Sequence, residues 1–511
     1  MTTGIHHVTL ITRKVQANVD FYVGFLGLRL VKQTGGFEDS EQLHLFYGDA
    51  LGSPGSIVTF LVWEDGAPGR VGRGQISEIA FAVPPQSVGD WLTRAITAQV
   101  PVSGPSREFG EPVLRLKDPD GVIVKLVGVD MPVQAPLADP RAPTRLRAVT
   151  LLTDKPTETA DFLAHFGYRS VASEGNIRRL VSETDALDVR DATGFYEGIP
   201  GTGVFDHVAF RAPNYEAVQD MQRVLARWSP TNVHDRKYFR SLYARDPAGI
   251  LTEYATDAPG FAVDEDPAHL GETLFVPDND AGRAEDLRVM LPQFARPGEE
   301  RIVLRDLPFV HRFHVPPDPD GSTILLLHGT GGHEGDLMPF AHRLSPRATL
   351  LGVRGRATEE GHARWFRRKS AVDFDQADIR AEVEAFDEFW RQAVTGYGIE
   401  RDRTTVLGLS NGGNFAGALL ALYPEAFRRV IMIRPMLVLN DPAEVDLAES
   451  EILTLTGEED PFAPYADALI DWLTRCNAKL DSRRVTGGHG LVAEDLALAR
   501  QWLGRNLSPP A

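Results

Sequence analysis

The sequence predicts a multidomain chain: an α+β front part of paired βαβββ modules, followed by an α/β part with a mostly parallel sheet. The length of 511 residues exceeds what a single hydrophobic core usually serves. The front half repeats itself, and from about residue 305 continuous apolar strands alternate with helical stretches. We therefore expect two unlike architectures joined in one chain.

The repeat in the front half consists of three pairs of similar segments. Each half reads as a strand, an amphipathic helix and further strands that turn at Asp-Pro-x-Gly, where Pro and Gly suit tight turns. The pairs are "HVTLITRKVQANVDFYVGFLGLRLV" from His7 with "AVTLLTDKPTETADFLAHFGYRSV" from Ala148, "SEIAFAVP" (77–84) with "FDHVAFRAP" (205–213), and "LRLKDPDGVIVKLV" (114–127) with "LYARDPAGILTEYA" (242–255). This pattern predicts two βαβββ motifs in each of two modules.

The domain limits follow from changes in composition and periodicity. The Pro-rich stretch 131–145 suits a semi-rigid linker, and the period-2 pattern ends after residue 256. "GRAEDLRVMLPQF" predicts a helix closed by Pro292, and five apolar strands are predicted beyond it, at "STILLLHG", "ATLLGV", "TTVLGLS", "RRVIMI" and "EILTLTG". The predicted domains are 1–130 and 146–260 for the two modules, 261–304 for a C-terminal segment and linker, and 305–508 for the α/β domain.

Composition and charge limit the classes of partner. The chain is 43% hydrophobic with a net charge of −18, so it has no basic surplus with which to neutralise a nucleic acid. A single cysteine, Cys476, excludes an internal disulfide framework and fits a reducing compartment. The sequence shows neither a signal pattern nor an apolar run long enough to cross a bilayer. We expect a cytoplasmic protein with small-molecule substrates and no nucleic-acid or membrane partner; homo-oligomerisation stays open.

Comparison of the repeats singles out three ligand-capable residues in the front half. Three pairs of equivalent positions differ in their capacity to bind a metal: His7 and Ala148, His207 and Glu78, Glu253 and Lys125. One combination carries two histidines and one carboxylate, the set suited to Fe(II) and oxygen chemistry. The complementary combination contains a lysine, which has no lone pair when charged. His7, His207 and Glu253 are therefore the predicted metal ligands.

The front half resembles the ring-cleaving hydroquinone dioxygenases of the vicinal-oxygen-chelate (glyoxalase/bleomycin-resistance/dioxygenase) superfamily. The resemblance covers about residues 1–300 and is carried by "GIHHVTL", "LFYGDALGSPGSIVTFLVW", "FDHVAF" and "DRKYFRSLYARDPAGILTEYATD". It implies an Fe(II) site, with Mn(II) as an alternative, on the same three residues. It also implies extradiol-type cleavage of an aromatic diol by O2.

Further site residues are implied by this resemblance. Arg236 and Tyr243 would hydrogen-bond the substrate or reacting oxygen, and His6 and Thr9 would contact the substrate. On an ideal strand His6 points away from the face of His7, so its role requires a local twist or bulge. Asp206 stands where relatives often carry another histidine, which bears on substrate preference. A glyoxalase-like lyase or isomerase is the main rival, although that class usually relies on a second carboxylate; a non-catalytic binding module also stays open.

The back half contains the order of residues expected of a serine hydrolase. "VLGLSNGG" (406–413) follows an apolar strand and precedes a helix, so Ser410 occupies a Gly-x-Ser-x-Gly turn. Asp460 follows a later strand and His489 lies near the end, which gives the Ser, Asp, His order of α/β-hydrolases. Glu458 and Glu459 compete with Asp460, which is preferred because it precedes Pro461.

Residues 305–508 resemble the compact carboxylesterase, phospholipase and acyl-thioesterase family. The resemblance is carried by "LLLHGTGGHEGDLMPFA", "VRGRATEEGHARWF" and "GLSNGG". In these roles Ser410 attacks an acyl carbon, and the backbone N–H groups of Thr330 and Asn411 hold the oxyanion. His328, His333 and Arg354 belong to the oxyanion-loop pattern and are expected to be structural or to line the pocket. We expect a bifunctional enzyme whose hydrolase takes an acyl ester or a ring-cleavage product.

Overall fold

The computed structural model describes residues 3–143 and 145–505, which form two compact units. The first unit comprises Met1–Ala284 and Phe294–Arg301, and the second comprises Glu285–Gln293 and Ile302–Ala511. The outer domain limits expected at residues 1 and 508 lie outside the described residues. Each unit is built on its own β-sheets.

The first unit contains the four predicted βαβββ motifs. The motifs share one plan, in which a largely buried strand is followed by a helix and then by three further strands. Their strands and helices are β1 (Ile5–Thr12), α1 (Val15–Val19, continued by a π-helical turn at Asp20–Phe25), β2 (Arg29–Gly35), β3 (Leu43–Gly48), β4 (Ile57–Val62), β5 (Gln75–Val83), α2 (Val88–Thr97), β6 (Val102–Glu108), β7 (Glu111–Lys117), β8 (Ile123–Gly128), β9 (Arg145–Thr153), α3 (Pro156–Ala164), β10 (Arg169–Glu174), β11 (Ile177–Val181), β12 (Ala186–Asp191), β13 (Phe205–Ala212), α4 (Tyr215–Val224), β14 (His234–Asp235), β15 (Arg240–Arg245) and β16 (Leu251–Thr256).

The motifs pair across the two halves of the repeat. The first sheet, in the order β14-β15-β16-β13-β1-β4-β3-β2-β17, joins the first motif to the fourth, and β17 (Leu274–Phe275) adds an edge strand. The second sheet, in the order β10-β11-β12-β9-β5-β8-β7-β6, joins the second motif to the third. Antiparallel pairs of buried strands, β1 with β13 and β5 with β9, make these joins. The segments 1–130 and 146–260 therefore do not enclose separate sheets; each gives one motif to both.

The Asp-Pro-x-Gly turns have the geometry that their residues predict. Asp118 Oδ1 accepts the backbone N–H groups of Asp120 and Val122 at 3.0 and 2.8 Å. Asp246 repeats this arrangement at the equivalent turn of the other sheet. Gly121 has φ +90°, a conformation that favours glycine.

The segment 261–304 divides between the two units. Its helix α5 (Ala284–Met290) forms at the predicted place and precedes Pro292. Val289 is buried in the core of the second unit with Ile324 and Leu350, which explains why Glu285–Gln293 belongs there. The expectation of one continuous C-terminal segment and linker is therefore corrected: burial of this apolar face places its middle in the second unit.

The second unit has a central seven-stranded sheet in the order β18-β20-β19-β23-β24-β25-β26, parallel except for β18. The five predicted strands occur, and edge strands β18 and β26 are added, because short or half-exposed edge strands lack a continuous apolar pattern. Its strands and helices are β18 (His311–His314), β19 (Thr323–Leu327), α6 (Met338–Leu344), β20 (Thr349–Val353), β21 (Ala357–Glu359), β22 (His362–Arg364), α7 (Gln376–Tyr397), β23 (Thr404–Leu409), α8 (Asn411–Leu422), β24 (Arg429–Ile433), β25 (Glu451–Gly457), α9 (Ala463–Arg475), β26 (Lys479–Val485) and α10 (Ala493–Arg505).

Within residues 3–143 and 145–505, no helix is both long enough and apolar enough to cross a membrane.

Candidate functional site

The three predicted metal ligands meet at the centre of the first sheet. His7 lies on β1, His207 on β13 and Glu253 on β16, which are neighbouring strands. The Nε2 atoms of His7 and His207 are each 3.0 Å from Glu253 Oε2 and 3.2 Å from one another. All three side chains are buried. Residues 200 positions apart are thus brought together because β1 pairs with β13.

This cluster fits a divalent metal ion. Donor atoms 3.0 to 3.2 Å apart have the spacing of adjacent octahedral positions around an ion about 2.2 Å away. Neither oxygen of the buried Glu253 carboxylate accepts a well-aligned hydrogen bond, a costly arrangement unless a cation satisfies it. Two imidazoles and one carboxylate on one face leave adjacent positions for other ligands. Among the described residues, this is the one His, Cys, Asp or Glu cluster with metal-binding spacing.

The surroundings of the cluster favour an ionised Glu253. Burial lowers the pKa of His7. Burial has the same tendency at His207, but the hydrogen bond to Asp206 and the close contact with Glu253 raise the pKa of its imidazole to about 9. Burial opposes ionisation of Glu253, yet contact with the two histidines holds the pKa of its carboxyl well below the usual range. Glu253 is therefore an anion inside the protein, the state in which a carboxylate binds metal.

A cavity of about 440 Å³ opens beside the cluster. His7 and His207 line it, together with Thr9, Arg236 and Tyr243, so three of the four implied substrate or catalytic residues face the same space. Its other walls are largely aromatic, with Phe37, Phe46 and Phe239. Such a mixture of apolar walls and a few convergent polar groups is typical of a small-molecule site.

Arg236 and Tyr243 stand next to each other in this cavity. The Arg236 guanidinium lies 5.7 Å from the Tyr243 ring centroid and pairs with Glu38 at 2.7 Å. The Tyr243 ring packs edge-on against His207, with centroids 5.4 Å apart. Burial raises the pKa of the Tyr243 hydroxyl well above its usual value, so the hydroxyl keeps its proton and can donate it in a hydrogen bond.

His6 occupies a different place from the one implied by resemblance. The pairing of β1 with β13 skips it, since Ile5 pairs with Phe210 and His7 with Ala209, so the required β-bulge is present. The bulge turns His6 behind His7, where the two Nδ1 atoms are 2.9 Å apart. His6 is absent from the cavity wall and reaches the cluster through His7.

His44 is a cavity residue that the sequence analysis missed. It lines the cavity from β3, and its Nε2 is 2.9 Å from Thr59 Oγ1. Thr59 donates to Thr9 Oγ1 at 2.9 Å, and Thr9 Oγ1 is 3.0 Å from His207 Nε2. The signal was present in "LHLFY", where alternation places His44 on the same face as the cavity residue Phe46.

The complementary set in the second sheet forms a closed ion-pair cluster. Lys125 Nζ lies 2.5 Å from Glu78 Oε2 and 2.9 Å from Glu108 Oε2. Ala148 lies on the adjacent strand β9 and adds no ligand atom. The Lys125 ammonium group thus lies at the position equivalent to Glu253 of the first sheet, and it has no lone pair for a metal ion.

In the second unit, Ser410 sits on a sharp turn between β23 and α8. Its backbone has φ +52° and ψ −115°, a strained conformation for a residue with a side chain. A Cβ on Gly412 would lie 2.0 Å from the Leu327 carbonyl oxygen, and one on Gly408 would lie 2.5 Å from the Gly412 oxygen. Glycine is therefore required on both sides of the serine.

The structure brings Ser410, His489 and Asp460 into one hydrogen-bonded chain. Ser410 Oγ is 2.8 Å from His489 Nε2, and His489 Nδ1 is 2.9 Å from Asp460 Oδ2. Asp460 is buried, whereas Glu458 and Glu459 are exposed. The geometry matches that of a nucleophile, a base and an orienting acid.

The predicted oxyanion loop passes beside Ser410. A Cβ on Gly329, the residue before Thr330, would lie 3.7 Å from Ser410 Cβ. Within the described chain, the N–H groups of Thr330 and Asn411 make no backbone hydrogen bond. Asn411 Oδ1 accepts from the Trp365 N–H, and Thr330 Oγ1 accepts from Arg364, both at 2.9 Å. These contacts hold the two residues while their N–H groups stay available.

The other oxyanion-loop residues have structural contacts. His328 is buried and its Nε2 accepts the Gly355 N–H at 2.9 Å. Arg354 pairs with Glu334 at 2.6 Å, and His333 with Asp336 at 2.7 Å. These contacts fit the structural part expected of them.

Comparison with known proteins separates the same two parts. Residues 4–126 match the Glyoxalase/Bleomycin resistance protein/Dioxygenase superfamily. The chain is 37% identical over 286 residues to "Putative ring-cleaving dioxygenase MhqO" of Bacillus subtilis (strain 168), covering 54% of this chain and 91% of that protein. It is 31% identical over 307 residues to the chlorohydroquinone/hydroquinone 1,2-dioxygenase of Sphingobium indicum, covering 56% and 95% respectively.

A different relative matches the hydrolase. The chain is 32% identical over 183 residues to "Putative hydrolase MhqD" of Bacillus subtilis (strain 168), which covers 35% of this chain and 92% of that protein. Together with the fold and the two clusters, these similarities show that the chain belongs to the ring-cleaving dioxygenase family of the glyoxalase/bleomycin-resistance/dioxygenase superfamily and carries a fused α/β-hydrolase domain.

Proposed function

We propose that the first unit is an Fe(II)-dependent dioxygenase that opens the ring of a hydroquinone-type aromatic diol. The observation that carries this proposal is the cluster of His7, His207 and Glu253, with donor atoms 3.0 to 3.2 Å apart beside an aromatic cavity that the two histidines line. The hydroquinone dioxygenase of Sphingobium indicum, a relative over 307 residues, supports the substrate class.

The chemistry divides between the metal and the chain. When bound, Fe(II) supplies adjacent open positions and the electron exchange that lets O2 react with an aromatic ring. Mn(II) suits the same donors. In extradiol-type cleavage, the bond between a hydroxyl-bearing ring carbon and its neighbour breaks. Each of the two carbons takes one oxygen atom of O2, so one becomes a carboxylate and the other an aldehyde.

The cavity residues bind and orient the diol. Phe37, Phe46 and Phe239 provide apolar surface for the ring. Arg236 and the protonated Tyr243 hydroxyl lie on the same side as His207 and can donate hydrogen bonds to oxygen that becomes negative during reaction. Thr9 touches His207 and completes the polar part of the wall.

Oxygen consumption tests this proposal against its rivals. Protein loaded with Fe(II) without air is mixed with hydroquinone and oxygenated buffer, and both O2 uptake and the ring-opened product are measured. We expect one O2 consumed per aldehyde acid formed. A lyase, an isomerase or a binding module would consume no O2, and the absence of uptake with every diol of a hydroquinone and catechol panel would refute the proposal.

We further propose that the second unit is a serine carboxylesterase. Ser410 attacks the acyl carbon while His489 takes its proton, and Asp460 holds the imidazole and stabilises its charged form. The N–H groups of Thr330 and Asn411 stabilise the oxyanion, and the leaving alcohol takes the proton from His489. Water then attacks the acyl group on Ser410 with His489 again as the base, which releases the acid and returns the proton to Ser410. The hydrogen-bonded chain from Ser410 to Asp460 supports this assignment.

Covalent labelling tests the esterase assignment. A fluorophosphonate probe should label the wild-type protein and His7→Ala equally, but not Ser410→Ala. Labelling that persists in Ser410→Ala would contradict the assignment. As the compound on which both units act in turn, we propose an acyl ester of the diol, which the second unit hydrolyses before the first unit opens the ring.

A further inference from the structure

Both ligand histidines follow a bulged residue. In the pairing of β1 with β13, His6 is the extra residue on one strand and Asp206 is the extra residue on the other. In a regular strand the residue before a ligand points to the opposite face, whereas a bulge redirects its side chain. Each of these residues therefore contacts Nδ1 of the histidine that follows it, the ring nitrogen that faces away from the cluster.

The contacts of the two bulged residues are equivalent in position but unlike in chemistry. Asp206 Oδ2 is 2.6 Å from His207 Nδ1, and His6 Nδ1 is 2.9 Å from His7 Nδ1. A carboxylate only accepts, so Asp206 keeps the proton of His207 on Nδ1 and leaves the Nε2 lone pair directed to the cluster. A neutral imidazole carries its proton on one nitrogen only, so His6 with its proton on Nε2 can accept the Nδ1–H of His7 at its own Nδ1.

The second sheet provides an internal control for this arrangement. Bulges occur there at Ser77 and Arg147, which precede Glu78 and Ala148. Ser77 Oγ lies 3.4 Å from the Thr150 carbonyl, and Arg147 pairs with Glu111 at 2.8 Å. The bulges thus belong to the repeated fold. Of the four bulged residues, only those of the first sheet, His6 and Asp206, accept a hydrogen bond from a neighbouring histidine of the cluster.

We propose that Asp206 is a positioning residue for His207, and His6 for His7, each fixing the ring orientation and tautomer with which its histidine binds the metal. This inference rests on the metal site of the proposed function. The Asp206 carboxylate also adds negative charge behind His207, so it strengthens metal binding more than the neutral His6 does. Outer hydrogen-bond partners of this kind are typically worth about 10- to 100-fold in metal affinity.

Titration with Mn(II) alone tests the inference without reference to activity. The dissociation constant is measured from the electron paramagnetic resonance signal of free Mn(II). We expect Asp206→Ala to weaken binding about 10- to 100-fold. Asp206→Asn should weaken it less, because an amide oxygen still accepts the Nδ1–H, and His6→Phe should also weaken it less than Asp206→Ala. The matched control Ser77→Ala, at the equivalent bulge of the second sheet, should bind as wild type does.

A spectroscopic measurement separates positioning from general loss of structure. The visible absorption bands of Co(II)-loaded Asp206→Asn should shift from those of the wild type, while Ser77→Ala keeps the wild-type bands. Wild-type affinity and bands in both Asp206 variants would overturn the inference and leave the proposed function intact. A wild-type protein that binds no Mn(II) or Co(II) would remove the metal site and this inference with it.

Discussion

Lys125 Nζ lies 2.5 Å from Glu78 Oε2, at the two positions that correspond in the repeat to Glu253 and His207. The fold therefore contains two equivalent places for a cluster. In the first sheet the cluster consists of possible metal-binding atoms, and in the second it contains an ammonium group. The Lys125 side chain is 4% exposed and also contacts Glu108 at 2.9 Å, so the ion pair is largely removed from water.

Removing this ammonium should destabilise the first unit. Lys125→Met leaves Glu78 and Glu108 with only the half-buried Arg115 as an ion-pair partner, and we expect the free energy of unfolding to fall by about 3 kcal/mol. Urea unfolding of the wild type and of Lys125→Met measures the change. The control Arg223→Met removes an exposed helix ion pair with Asp220 and should change stability by less than about 1 kcal/mol. If Lys125→Met and Arg223→Met lowered the free energy of unfolding equally, the buried ion pairs would contribute no more to stability than an exposed one.

The acid of the proposed hydrolase can be identified by kinetics. Asp460→Asn keeps the size of the side chain but no longer stabilises the charged imidazole, so we expect kcat for an ester to fall about 10⁴-fold. Glu458→Gln and Glu459→Gln change exposed side chains and should keep wild-type kcat. A large loss in either glutamate variant with none in Asp460→Asn would reassign the acid.

The two activities should be separable by single substitutions. Glu253→Ala removes a metal ligand and should abolish O2 consumption while ester hydrolysis is kept, because the serine chain shares no residue with the metal cluster. Ser410→Ala should give the opposite result. Measuring both activities on each variant checks this, and loss of both activities from either substitution would contradict independent sites.

The turn residue Asp118 predicts a specific pH dependence of stability. Burial raises the pKa of its carboxyl to about 7, whereas an unfolded aspartate titrates near about 3.9. Between these values the folded state holds the extra proton, so this group makes the free energy of unfolding fall as pH rises from about 4 to about 7. Below about 4 both states are protonated, and the loss is complete above about 7.

Asp118→Asn should remove that part of the slope. Urea unfolding from about pH 4 to about pH 8 measures it, with the exposed Asp161→Asn as control. A wild-type slope in Asp118→Asn would contradict the raised pKa.

The convergence of the three candidate ligands could be predicted because they lie on repeat-equivalent strands. His7, His207 and Glu253 were identified by comparing residue types at matching positions, and the paired sheets bring those positions together. The serine chain could be predicted because its motif encodes a local turn and its order along the chain is fixed. These features depend on residue type and topology, which a single sequence contains.

The remaining features depend on packing that one sequence does not show. The orientation of the His6 side chain depends on a bulge between β1 and β13, which are distant in sequence. Strand alternation alone therefore cannot reveal which way this side chain points. The exchange of motifs between sheets and the position of Val289 likewise depend on long-range burial. Alternation in "LHLFY" places His44 on the same face as Phe46, but its hydrogen bond to Thr59 depends on the pairing of the strands.

The number and place of bound metal ions test the central claim most directly. Protein loaded with Fe(II) without air and freed of excess metal is analysed for iron by elemental mass spectrometry. The account predicts about one ion per chain in the wild type and in Glu78→Ala, at the equivalent position of the second sheet, and none in His207→Ala or Glu253→Ala. A wild type without iron, or iron kept in full by Glu253→Ala, would contradict it.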